Sequence, residues 1–125
     1  MNNSRYLLDT HILLWILNGD DRLPARLRDI LEQRPAQVVS AVSIWEIAIK
    51  RTLGKLAAPS DLLSVIRKLD AEIMPITAEH AEAVASLPLH HGDPFDRLLV
   101  AQARLEGLTV MTVDSHFSAY EVPVA

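Results

Sequence analysis

Acidic residues lie at positions in this chain where their carboxylates could share one divalent cation. Asp9 ends the apolar run Arg5 to Asp9, and Asp114 follows the apolar run Leu108 to Val113. The other acids to consider are Glu46, Asp93 and Asp96. Because the carboxyl ends of parallel strands meet at one edge of an open sheet, we expect these side chains to converge there. Such a cluster would repel itself without protons or cations, and an all-oxygen ligand set selects a hard ion such as Mg²⁺ or Mn²⁺.

Ordinary structural roles are also open to these acids. Asp9 could cap the helix that follows it, and Asp114 could close an Asx turn. Glu46 could form an i,i+4 ion pair with Lys50 or a capping box with Ser43. A buried carboxylate without a partner is costly, however, and both Asp9 and Glu46 are expected to be buried. The sequence therefore leaves a structural and a metal-binding interpretation side by side.

The clearest helix signal surrounds Phe95 to Glu106. Asp93 is placed as its N-cap, Pro94 as its first residue, and Gly107 just past its end. This helix puts the Asp93 and Asp96 carboxylates in or beside its first turn, where the helix dipole favours negative charge. Asp93 is therefore either a cap or a ligand.

Apolar runs typical of strands alternate with helical patterns along the chain. The predicted strands are Arg5 to Asp9, Gln37 to Ser40, Glu72 to Ile76 and Leu108 to Val113, with Val122 to Val124 as a further edge strand. Besides Phe95 to Glu106, the predicted helices are Thr10 to Leu17, Pro24 to Gln33, Ser40 or Ser43 to Leu53, Pro59 to Leu69, and Ala78 to Leu87. Pro75 favours an edge position for the third strand. The alternation predicts a three-layer α/β/α fold, a central parallel sheet flanked by helices, as a single domain over residues 1–125.

Composition narrows the class of protein. The chain has 125 residues, half of them apolar, which suits one globular core. It has no cysteine, which excludes disulfides, thiolate metal sites and cysteine nucleophiles. Its apolar runs are too short for a membrane span, so we expect a cytoplasmic protein without a membrane partner. The net charge of −4 argues against nucleic-acid binding by bulk electrostatics alone, although bound divalent ions would supply positive charge locally.

Four motifs are spread over essentially the whole chain. They are Leu7-Leu8-Asp9-Thr10-His11-x-Leu-Leu-Trp15, Ser43-x-x-Glu46-Ile47, Asp93-Pro94-Phe95-Asp96-Arg97-x-Leu-x-Ala-Gln-Ala, and Thr112-x-Asp114. Together they resemble the motifs of the PIN-domain family and, within it, of the VapC-like ribonuclease toxins of type II toxin–antitoxin systems. The resemblance implies that the metal-binding and catalytic quartet is Asp9, Glu46, Asp96 and Asp114. Asp93 matches an extra acid that some members have.

The resemblance also implies a function. It indicates a metal-dependent endoribonuclease in which Mg²⁺ or Mn²⁺, held by the acidic cluster, activates a water that cleaves RNA. It further implies a homodimer and a cognate antitoxin protein. On this hypothesis Lys50, Arg51 and Arg97 are the nearest candidates for binding RNA phosphates, although each could equally be a solvated helix charge.

Two other classes of function stay open. A phosphoryl-transfer enzyme or receiver-like module also places acids at strand ends, but a haloacid-dehalogenase-type phosphatase would need an Asp at position 11, which is His11. A catalytically silent binding module on the same fold is the other alternative, and the presence of all four principal acids counts against it. The histidines His11, His90, His91 and His116 are expected to be polar residues on the rim of the site.

The apolar run of α-helical residues Leu13 to Leu17 predicts a subunit interface. It is too broad for the single buried stripe of a surface helix, so part of it should face a second copy of the chain. Leu14 is the residue expected on the outward side. Trp15 and Trp45 are expected in the core or in this interface.

Overall fold

A four-stranded parallel sheet lies at the centre of the molecule. The computed structural model describes residues 4–90 and 92–125, so that His91, expected on the rim, and residues 1–3 of the predicted domain lie outside the described residues. The strands are β1 (Arg5–Leu8), β2 (Ala36–Ser40), β3 (Ala71–Met74) and β4 (Thr109–Met111), in the spatial order β3-β2-β1-β4 with every neighbouring pair parallel. This arrangement confirms the predicted parallel α/β fold.

Helices connect and cover the strands. They are α1 (Thr10–Asn18), α2 (Ala25–Glu32), α3 (Ala41–Thr52), α4 (Leu62–Arg67), α5 (Ala78–Ala83) and α6 (Pro94–Glu106), with 3₁₀ turns at Val84–Ser86 and Ser115–Tyr120. The helix predicted from Pro59 begins only at Leu62, and the Pro59 carbonyl instead accepts a hydrogen bond from Arg51 Nη1 at 2.6 Å. None of the helices in the described ranges is both long and apolar enough to cross a bilayer.

The sheet edges differ in part from the prediction. The third strand is at the edge as expected, and it ends at Met74 because Pro75 has no N–H to continue a ladder. The expected edge strand at Val122 to Val124 is reduced to a single parallel bridge between Val110 and Val124. Pro123 explains this: its carbonyl accepts from Val110 N at 2.8 Å, but it has no N–H to donate.

Both faces of the sheet are buried. Successive residues of β1 point to opposite faces, so Leu7 packs in one apolar cluster with α6 residues and Leu8 packs in another with α1 residues, and both are fully buried. Burial on both faces is the usual state of a parallel sheet and explains why the strands are continuous apolar runs. Because both faces are covered by apolar side chains, polar side chains are left to the ends of the strands. The candidate acids lie at the carboxyl ends.

A buried glutamine fixes α6 against the sheet. The Gln102 side chain is fully buried, and its Oε1 accepts a hydrogen bond from Ser40 Oγ at 2.6 Å, at the carboxyl end of β2. Its Nε2 donates to the Pro75 carbonyl, just past β3, at 3.3 Å. These contacts set the position of α6, and hence of the acids in its first turn, relative to the strand ends.

The structure corrects the prediction for Leu14. This side chain is 6 % exposed and belongs to the core, because α1 buries Leu13 and Leu14 together under the sheet. Trp15, Ile16 and Leu17 are half-buried. Leu14 is therefore unsuitable as a position for testing the predicted homodimer interface, since a charge there would disrupt the core.

Candidate active site

Asp9 lies where β1 ends and α1 begins. Its backbone N–H donates to the Met111 carbonyl at 3.1 Å, which extends the pairing of β1 with β4 by one residue. Its Oδ1 accepts from Ile12 N at 2.9 Å, so Asp9 is the N-cap of α1, and its Oδ2 accepts a hydrogen bond from Thr112 Oγ1. The carboxylate is thus held by two neutral donors, one in the first turn of α1 and one just past the end of β4.

The surroundings of Asp9 favour its protonated form. Burial raises the pKa of the Asp9 carboxyl, and the negative charge of Asp114 raises it further, whereas the hydrogen bonds from Thr112 and Ile12 and the nearby His11 lower it. The net direction is upward because desolvation is the largest contribution. A cation beside Asp9 would remove this cost, which is the electrostatic condition expected of a metal ligand.

Glu46 is the second buried carboxylate of the site, on α3. Its Oε1 accepts from Thr10 Oγ1 at 2.7 Å, and its Oε2 accepts from Lys50 Nζ at 2.6 Å. The predicted i,i+4 pair is therefore present, but the alternative capping box with Ser43 is not, since Ser40 caps α3. The Ser43 hydroxyl instead lies 3.0 Å from Thr10 Oγ1 and helps to orient it.

The first turn of α6 brings two more acids to this edge. Asp93 is the N-cap, as predicted, and its Oδ1 accepts from Phe95 N at 2.8 Å and from Asp96 N at 3.2 Å. The pKa of Lys50 is raised, chiefly by its hydrogen bond to Glu46, and the charges of Asp93 and Asp96 add to the rise while burial opposes it. The Lys50 ammonium therefore stands in the field of carboxylates from both α3 and α6.

Asp114 follows β4 and makes the Asx turn considered from the sequence. Its Oδ1 accepts from His116 N at 2.9 Å and lies 2.7 Å from His116 Nδ1. His116 in turn lines a small depression with Asp96 and Phe117. Asp114 is close enough to Asp9 for its charge to raise the pKa of the Asp9 carboxyl. It also contacts His116, which lies beside Asp96.

The acids converge on one edge of the sheet as a chain of neighbours rather than as a closed cluster. Among residues 4–90 and 92–125, no three Asp, Glu or His side chains already form a group that could hold a metal ion. On the α3 side, the Lys50 ammonium already binds the Glu46 carboxylate. The donor set is nevertheless made of carboxylate oxygens, which suit a hard cation. The assignment of Asp9, Glu46, Asp96, Asp114 and Asp93 as metal ligands stays a prediction.

The other predicted phosphate-binding residues hold backbone carbonyls. Arg97 donates from Nη1 to the Pro88 carbonyl at 2.9 Å and from Nη2 to the Val84 carbonyl at 3.2 Å, which fastens the loop before α6. Arg51 donates to the Pro59 carbonyl. Their role in RNA binding, like that of Lys50, stays a prediction.

Two hydroxyl residues were missed as site residues. Thr10 orients Glu46, and Thr112 donates to Asp9 while its Oγ1 also accepts from Asp114 N at 2.9 Å. The available signal was their position, because each lies within two residues of a candidate acid. The rim histidines His11 and His116 are exposed, as is His90, whose ring packs on Tyr120 with a centroid distance of 5.1 Å.

The fold and the edge of acids together define a class of protein. An open parallel α/β sheet with buried carboxylates just beyond its strand ends is typical of enzymes that bind a cation or a phosphate at that edge. The family model of the PIN domain matches residues 6–123. The chain belongs to the PIN-domain family.

Similar proteins extend this assignment. Ribonuclease VapC22 of Mycobacterium tuberculosis is 28 % identical over 120 residues, which cover 94 % of this chain and 92 % of that protein. The crystal structure of VapBC2 from Rickettsia felis bound to a promoter DNA fragment aligns with a TM-score of 0.72 at 16 % identity, covering 98 % of both chains. DNA-bound VapBC from Salmonella typhimurium aligns with a TM-score of 0.70 at 17 % identity, covering 98 % of this chain and 97 % of that one. The likeness to these solved structures concerns the fold.

Proposed function

We propose that this chain is a VapC-like endoribonuclease, the toxin of a toxin–antitoxin pair. The observation that carries the proposal is the buried Asp9 carboxylate at the junction of β1 and β4, close to Asp114 and followed by Thr10, whose hydroxyl donates to the buried Glu46. The similarity to Ribonuclease VapC22 over nearly the full length of both chains supports RNA as the substrate.

The proposed cofactor is Mg²⁺ or Mn²⁺, held by Asp9, Glu46, Asp96 and Asp114 and, in a supporting role, by Asp93. Carboxylate oxygens are hard ligands, and the chain has no cysteine to favour a softer metal. When bound, such an ion supplies an acidified water and offsets the negative charge of a phosphodiester undergoing hydrolysis.

The residues of this chain have distinct parts in that chemistry. Thr112 and the backbone N–H of Ile12 hold the Asp9 carboxylate in one orientation, and Thr10 does the same for Glu46. Fixing the ligands in advance lowers the reorganisation needed on binding. Lys50 neutralises Glu46 before a cation or phosphate arrives.

Proposed partners follow from the similar complexes. The Rickettsia felis and Salmonella typhimurium structures are VapBC complexes, and a toxin–antitoxin complex from Klebsiella pneumoniae also aligns, with a TM-score of 0.66 at 20 % identity. By this likeness the chain pairs with a cognate antitoxin. We further propose that the antitoxin masks the acids and that the chain acts in the cytoplasm as a homodimer. The apolar Ile16 and Leu17, half-buried on α1, are consistent with a contact between subunits.

Incubation of the purified protein with a mixed-structure RNA tests the proposed function. Cleavage should require Mg²⁺ or Mn²⁺, stop with EDTA, and be lost in Asp9→Asn. Metal-independent cleavage that persists in Asp9→Asn would reject the metal-dependent mechanism. No cleavage, with hydrolysis of small phosphate monoesters instead, would favour the phosphoryl-transfer alternative, and RNA or protein binding without any hydrolysis would favour a silent binding module.

A further inference from the structure

The edge of the sheet that carries Asp9, Glu46, Asp93, Asp96 and Asp114 is called the acidic edge below. A cleft lies on its α1 side. Its walls come from α1, the loop after it, and the segment that follows α3, and they include His11, Trp15, Arg22, Lys50, Lys55 and Leu56. Its volume is about 480 Å³. We call it the α1 cleft. None of the five acids lines this cleft, but Lys50, which binds Glu46, does.

The α1 cleft is lined by basic side chains although the chain as a whole is acidic. Among the described residues that line it, Arg22, Lys50 and Lys55 are basic and none is an Asp or Glu. Asp20 binds Arg22 from outside the cleft at 2.7 Å, and Glu46 binds Lys50. In the described part of the chain, the Lys55 side chain has neither an ion pair nor a hydrogen bond. Cations concentrated in one concave site on an acidic protein indicate an anionic ligand.

Flat surfaces lie beside these cations. The Arg22 guanidinium lies over the Trp15 ring, 5.7 Å from its centroid, and the His11 ring is 6.3 Å from that of Trp15 at an interplanar angle of 52°. Trp15 is half-buried, and both Arg22 and His11 are exposed. Unpaired nucleobases stack on aromatic rings and on guanidinium planes, whereas a base inside a duplex has no free face to offer.

The α1 cleft is continuous with the acidic edge. Lys50 lines the cleft and donates to Glu46 at 2.6 Å, and His11 follows Thr10, whose hydroxyl donates to the same carboxylate. A nucleotide in the cleft would therefore place its phosphate beside the carboxylates.

We propose that the α1 cleft binds one unpaired nucleotide of an RNA strand, next to the phosphate that is cleaved. The base stacks on the Trp15 and Arg22 surface, and Lys55 and Lys50 bind the adjoining phosphate. This inference rests on the proposed function, and it assigns the residues that hold the nucleotide beside the cleaved phosphate.

Equilibrium binding of a fluorescent single-stranded RNA, measured by anisotropy in EDTA, tests the α1 cleft without cleavage. Lys55→Gln should weaken binding about fivefold. It should also reduce the slope of log K against the logarithm of the salt concentration by about one, as expected for one lost phosphate contact. Trp15→Leu should weaken binding about tenfold, as expected for one lost base stack. The matched controls are Lys68→Gln, an exposed lysine after α4, and Trp45→Leu, an exposed tryptophan outside the cleft, which should bind like the wild type.

A fully paired RNA hairpin of the same length serves as the second probe, and its affinity should change less than twofold in Trp15→Leu. In cleavage assays both cleft variants should raise KM and leave kcat nearly unchanged. Unchanged affinity and salt slope in Lys55→Gln would overturn the inference even if Trp15→Leu fails to fold, as would equal losses in the controls. If the wild type still cleaves RNA in a metal-dependent way, those results reject only the role of the α1 cleft. If the wild type shows no metal-dependent cleavage, the proposed function itself is rejected.

Discussion

Asp9 and Glu46 are buried to nearly the same extent, 4 % and 3 % exposed, but their carboxylates meet opposite surroundings. Asp9 is held by a hydroxyl and a backbone N–H and is repelled by Asp114. Glu46 receives the ammonium of Lys50 from the next turn of its own helix. The same charge is thus stabilised mainly by neutral donors at one end of the site and paired with a cation at the other.

This difference shows how the fold tolerates a group of acids. The α3 side carries its own cation, so it is stable without a metal, whereas the β1–β4 junction is the part that gains most from an added cation. Substitutions at these positions separate the contribution of each carboxylate to RNA cleavage from its contribution to stability.

The largest expected effect is on cleavage. Asp9→Asn and Glu46→Gln should each lower kcat for RNA by about 100-fold or more, because each removes a charge placed to stabilise the reaction. Circular dichroism should show an unchanged fold. Glu72→Gln, at an exposed carboxylate paired with Arg5 at the far end of the sheet, is the matched control and should keep wild-type activity. Wild-type rates in both site variants would refute the assignment of the acids.

Removal of the internal cation should have the next largest effect, on stability. Lys50→Met leaves the Glu46 charge buried without its partner, and we expect a loss of about 1–3 kcal/mol in the free energy of unfolding, reduced by the partial exposure of Lys50. Urea denaturation without metal measures it. The double variant Lys50→Met/Glu46→Gln should recover most of the loss, and a double variant as unstable as the single would show that the pair is not coupled.

Asp9→Asn should behave in the opposite way. Since burial raises the pKa of Asp9, the folded state binds its proton more tightly than the unfolded state, and the ionised carboxylate costs stability above the folded-state pKa. Without metal the variant should therefore have a Tm equal to or above that of the wild type at pH 7. The difference should shrink as the pH falls through the raised pKa and the wild type becomes protonated. A Tm well below that of the wild type at pH 7 would contradict this account.

The smallest expected effect is at Asp93. Asn also caps helices well, so Asp93→Asn should change stability by less than about 0.5 kcal/mol, whereas Asp93→Ala should cost about 1 kcal/mol. Its effect on cleavage should be milder than that of Asp96→Asn. If the two Asn variants are equally inactive, Asp93 is a ligand as well as a cap.

The sequence alone predicted the parallel sheet and the limits of α6. Local rules suffice there, because Asp93, Pro94 and Gly107 carry the start and stop of the helix, and buried strands must be continuous apolar runs. Segments whose ends depend on distant contacts were predicted less well. The start of α4 was placed too early because the Pro59 carbonyl is bound by Arg51, and Leu14 was placed outward although α1 buries two adjacent leucines.

Of the candidate site, the sequence by itself determined which acids follow the strand ends, since parallel strands bring those ends to one edge. Only the tertiary structure decided what each carboxylate meets there. Thr112 reaches Asp9 because β4 pairs with β1 in a register that aligns Leu8 with Met111, and Thr10 reaches Glu46 because α1 packs beside α3. The α1 cleft depends on the same packing, which brings Arg22 and Lys55 together across residues that no local pattern connects. Hydrogen bonds and charges act over a few ångströms in space, so their partners are set by the fold and not by spacing along the chain.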